Sequence, residues 1–104
     1  MEAGKAELGV TFFLRSAKLG CLEAQVNLGH AYSEGEGGQK DWKAARHWYK
    51  NAASRGQPEG AFSLAIEYRN RNNIRLARYW FGRAAAMGDQ DADDELLALQ
   101  NSQV

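Results

Sequence analysis

The chain has 104 residues, enough for one domain or part of one, and its three Trp, four Tyr and four Phe can furnish a continuous core. Thirteen Lys and Arg balance thirteen Asp and Glu, so bulk charge gives no reason to expect attraction to nucleic acid or to an anionic membrane. One proline and a quarter charged residues argue against disorder, and the lone Cys21 excludes an intrachain disulfide and a cysteine metal cluster.

The expected helices, in chain order, run near residues 4–19, 22–34, 41–55, 58–70, 73–87 and 90–100. The first contains the apolar stretch from Leu8 to Leu14, which is too short for a membrane span and has Glu2 and Glu7 where a targeting leader would be basic. With the lone cysteine, this points to a cytoplasmic setting. Gly20, Gly56 and Gly88 each close a helical segment, as expected where a helix ends in a left-handed residue. Pro58 suits the first turn of its helix, where its missing N–H costs nothing. Asp89 or Asp91 is placed to cap the last helix, and the acids there complement the positive end of its dipole. Cys21, directly after Gly20, is expected to pack as a small apolar residue.

These helices repeat. Ala24, Leu28, Gly29 and Tyr32 return as Gly60, Leu64, Ala65 and Tyr68, a period of 36 residues. Phe12, Phe13, Ala17 and Gly20 return as Trp48, Tyr49, Ala53 and Gly56, then after 32 residues as Trp80, Phe81, Ala85 and Gly88. Such a period predicts an all-α solenoid in which each helix pair buries its apolar face only against its neighbours. Trp48 and Trp80 read as knobs on the second helix of each pair, with Gly29 and Ala65 as the holes on the first. The linker after Tyr32 (Ser33-Glu34-Gly35-Glu36-Gly37-Gly38-Gln39-Lys40) is long; that after Tyr68, from Asn70 to Asn73, is short. Closure entropy grows slowly with length, so the fold tolerates both. At the ends, a second-type helix around Phe12 and Ala17 lacks its first-type partner, and Leu97 and Gln100 replace the hole and the tyrosine. Residues 89–100 therefore read as a capping helix.

The runs Ala24-x3-Leu28-Gly29-x2-Tyr32-x2-Gly35-x-Gly37 and Asp41-x-Lys43-Ala44-x3-Trp48-Tyr49-x2-Ala52-Ala53-x2-Gly56 resemble a Sel1-like repeat, a relative of the tetratricopeptide repeats. The resemblance divides a single domain, residues 1–104, into a half repeat (4–20), a repeat (21–56), a degenerate repeat (57–88) and a cap. The second copy departs from the pattern, with Asn73, Arg75 and Leu76 where the first has Asp41, Lys43 and Ala44. The resemblance implies a right-handed superhelix acting as a non-catalytic adaptor or scaffold, with a partner peptide or helix bound on the concave face. The positions it places there are Asn27, His30, Ser63, Ile66, Arg69 and Asn70. The competing expectation is self-association, a homodimer in which the unpaired first helix buries Val10, Phe13 and Leu14.

Other chemistry finds no support in the residues. Gly35-x-Gly37-Gly38 follows a helix and lacks a Gly-Lys-Ser/Thr ending, so it is no phosphate cradle. His30 and His47 have no partners at ligand spacing, so neither a metal nor a cofactor is expected. Asp93, Asp94 and Glu95 sit at a helix start, where the dipole explains them. Arg69, Arg71, Arg75, Arg78 and Arg83 form a run without an acid. RNA binders pair such a run with stacking aromatics and a basic total charge, so it reads as a solvated face offset by the acidic last helix.

Overall fold

The computed structural model describes Arg15, Lys18, residues 20–35 and residues 40–101. Among these the regular elements are five α-helices: α1 (Leu22–Glu34), α2 (Trp42–Ser54), α3 (Pro58–Asn70), α4 (Ile74–Ala86) and α5 (Gln90–Asn101). Their ends fall within one residue of the expected ones. Arg15 and Lys18 are helical; the rest of the expected first helix, including Phe12, Val10, Phe13 and Leu14, lies outside the described residues. The chain divides into two compact units, residues 1–52 and 53–104.

Local chemistry sets the helix ends. Gly20, Gly35, Gly56 and Gly88 have φ of 95, 81, 92 and 98°, the left-handed region that a side chain disfavours. Pro58 occupies the first turn of α3. Asp41, Asn73 and Asp89 cap α2, α4 and α5: each side-chain Oδ1 accepts from the backbone N–H three residues on, at 3.1, 3.2 and 3.2 Å. Cys21 contradicts its expected packing. It is exposed, because it holds the N-cap position of α1, where the side chain projects off the helix end.

The two linkers of unequal length close with the same bonds. The Asp41 N–H donates to the Tyr32 carbonyl at 2.9 Å, and the Asn73 N–H donates to the Tyr68 carbonyl at 2.8 Å. Asn73 thus does for α4 what Asp41 does for α2, and the departure of the second copy at this position preserves the cap. Where the second copy lacks the loop glycines, Asn72 takes the left-handed conformation at φ 63°, the non-glycine residue type that tolerates it best.

In the first unit, α1 and α2 are joined by aromatic side chains entering a surface of small residues. Ala24 and Leu28 are buried, with Tyr32 and Trp48 packed against them. Gly29 receives Tyr49, not Trp48: a Cβ at Gly29 would lie 2.5 Å from Tyr49 Cε1. In the second unit, α4 packs against both α3 and α5. Phe81 is fully buried at the position equivalent to Tyr49, and its ring meets Phe62 edge-on at 5.6 Å. The deepest knob is therefore the second aromatic of each Trp-Tyr or Trp-Phe pair. Burying a side chain of that size stabilises by about 1.5–3 kcal/mol. On α5, Ala92 and Leu99 are buried while Leu97 is 53% exposed, so no described helix covers its hole position.

Candidate interaction surface

The buried sets of α1 and α3 fix which of their residues remain available. On α1 the core takes Ala24, Gln25, Val26, Leu28, Gly29 and Ala31. Asn27 is left half-buried and His30 exposed. On α3 the core takes Gly60, Ala61, Leu64, Ala65 and Tyr68, which leaves Ser63, Ile66 and Arg69 half-buried and Asn70 exposed. Helical spacing puts Asn27 with His30, and Ser63 with Ile66 and Asn70, on one face of their own helix. The six expected contact residues thus occupy two short stripes beside the packing residues, one in each unit.

Two of the six also have structural work. His30 Nδ1 lies 2.8 Å from the Tyr49 hydroxyl, and the two rings meet edge-on at 5.4 Å. His30 therefore pins the ring that fills the Gly29 hole. Arg69 is ion-paired with Glu95 of α5, and its guanidinium lies 5.7 Å from the Phe81 ring centre. Both partners of the ion pair are 35% exposed, so solvent screens it and it contributes little net stability. It nonetheless orients one cation of the arginine run.

Arg83, from the same run, behaves differently. Arg83 and Tyr79 are exposed, and Arg83 Nη1 donates to the Tyr79 hydroxyl at 2.9 Å. The Arg83 guanidinium lies 5.6 Å from the Trp80 ring centre and 5.8 Å from that of Tyr79. Tyr68 is buried, whereas Tyr79 is 51% exposed. Sequence reasoning missed this seat because both aromatics stand at or beside repeat packing positions. The i,i+4 spacing of Tyr79 and Arg83 was the available signal.

Among the described residues there is no cluster of three or more His, Cys, Asp or Glu able to hold a metal ion. No described helix is long and apolar enough to cross a membrane. Paired helices with recurring small-residue holes and aromatic knobs define an all-α helical-repeat protein. The family model for the Sel1 repeat matches residues 22–57 and 58–89, and the chain belongs to that family. Sel1 repeats are generally protein-interaction modules and generally non-catalytic. The fold is similar to the crystal structure of a Sel1 repeat protein from Oxalobacter formigenes, with a TM-score of 0.74 and 29% identity. That match covers 88% of this chain but only 38% of the other. No curated protein sequence matches significantly.

Proposed function

We propose that this chain is a non-catalytic adaptor that binds a peptide or helix of a partner protein through its first helices, α1 and α3. The observation carrying this reading is the Sel1 repeat match over residues 22–89. Asn27, His30, Ser63, Ile66, Arg69 and Asn70 are the contacts, offering hydrogen bonds with one apolar side chain, a mixture suited to peptide recognition. Each stripe stands on a helix whose other face is held by the core, so binding would order little of the protein.

The test is affinity capture with wild type and an Asn27→Ala/Ser63→Ala/Asn70→Ala variant. These three positions are chosen because His30 and Arg69 also serve Tyr49 and Glu95. A protein retained by wild type and lost by the variant, with its melting curve unchanged, is the expected result. Equal recovery by both proteins would reject these stripes as the contact surface.

A further inference from the structure

Among the described helices the carboxylates fall on α1, α3 and α5, and the cations, Arg69 of α3 apart, on α2 and α4. The described second helices carry cations and no carboxylate: Lys43, Arg46 and Lys50 on α2, and Arg75, Arg78 and Arg83 on α4. The first-type helices carry the acids: Glu23 and Glu34 on α1, Glu59 and Glu67 on α3, and Asp91, Asp93, Asp94 and Glu95 on α5. On α4, Arg75, Tyr79 and Arg83 recur every fourth residue and all three are exposed, so they form one continuous stripe. Neither Arg75 nor Arg83 pairs with a carboxylate among the described residues. Glu95, on the neighbouring α5, is taken by Arg69.

We infer that the Arg75–Tyr79–Arg83 face of α4 is a docking surface for an acidic peptide segment of a partner protein. Arg83 is the anchor. Its guanidinium is held by the Tyr79 hydroxyl and lies beside two aromatic rings, yet one N–H is used out of the five that arginine offers. A guanidinium fixed in this way loses little rotamer freedom when a carboxylate arrives and can take it bidentately. Arg75 stands two turns away, about 12 Å along the helix axis. The surface therefore fits a segment with two carboxylates at that separation.

Charge complementarity selects the occupant. A long polyanion such as RNA is disfavoured by the exposed Asp91, Asp93 and Asp94 on the adjacent α5, whereas a short acidic segment needs only the two guanidinium groups. This surface shares no residue with the proposed contacts on α1 and α3, so variants at the two sets test them independently.

The test is fluorescence anisotropy at low salt with a labelled Glu/Asp-rich peptide roughly the length of α4. The wild type is compared with Arg75→Glu/Arg83→Glu and with a charge-matched control, Arg15→Glu/Lys40→Glu. The expected result is peptide binding that weakens about tenfold or more in the α4 variant but much less in the control. The single variant Arg83→Gln, which keeps Arg75 and the fold, should give an intermediate loss. Equal affinity in all variants would overturn the inference, as would no binding at low salt. Tighter binding of a labelled oligothymidine than of the peptide would assign the face to nucleic acid instead. A protein-alone mass that rises with concentration and is abolished by the α4 variant would assign it to a second copy of the chain.

Discussion

Replacing Gly29 with alanine isolates the closest contact between α1 and α2. The added Cβ would lie 2.5, 2.6 and 2.9 Å from Tyr49 Cε1, Cδ1 and Cζ, all inside van der Waals contact. Tyr49 has little room to retreat: it is 1% exposed, and its hydroxyl is tied to His30 at 2.8 Å. Overpacking costs about 1–3 kcal/mol, and three contacts under 3 Å against a buried, tethered ring put this case in the upper part, about 2–3 kcal/mol. Against that, alanine within a helix gains about 0.5–1 kcal/mol over glycine. The net expectation is a loss of up to about 2.5 kcal/mol from these two terms. At about 4–8 °C per kcal/mol for a domain near this size, the melting midpoint should fall by several degrees and by up to about 20 °C. Gly29→Leu should fall further, since it adds three more carbons to the same clashing Cβ. Circular dichroism melts measure this directly. A double-mutant cycle with Tyr49→Leu should show that the penalty of Gly29→Ala shrinks once the ring is gone. A Gly29→Ala midpoint at or above wild type would refute the reasoning, because it would mean that Tyr49 does not occupy that hole.

Two further outcomes follow from the helix chemistry. A Cβ at Gly82, within α4, would meet nothing within 4 Å, so Gly82→Ala should stabilise by about 0.5–1 kcal/mol and raise the melting midpoint by a few degrees. Asn73→Ala removes the Oδ1 that accepts from the Leu76 N–H and should cost about 1 kcal/mol in a denaturant titration. Asn73→Asp should restore that loss, because Asp41 and Asp89 already cap their helices in the same way.

Much of the fold was legible in the residues because helix ends are local events. A glycine needed at positive φ, a proline in a first turn, and an Asp or Asn three residues before the N–H it accepts act over a few residues, and each reads directly from the chain. The repeat period added the pairing of first and second helices, and the family resemblance added the expected contact positions Asn27, His30, Ser63, Ile66, Arg69 and Asn70. The commitments of two of these residues were not legible. His30 meets Tyr49 across 19 positions and Arg69 meets Glu95 across 26, and no local pattern marks either partner.

What the sequence determined by itself was thus the all-α repeat architecture, the helix boundaries and the faces turned toward the core, all consequences of short-range hydrogen bonding and hydrophobic periodicity. The tertiary structure alone decided that Tyr49, not Trp48, fills the Gly29 hole. It also decided that Glu95 takes Arg69, and that Arg83 rests beside Tyr79 and Trp80 on a helix with no acid of its own. These depend on how far each helix rotates and slides against its neighbour. A rotation of a fraction of a turn exchanges one adjacent aromatic for the next, and periodicity alone does not resolve so small an angle.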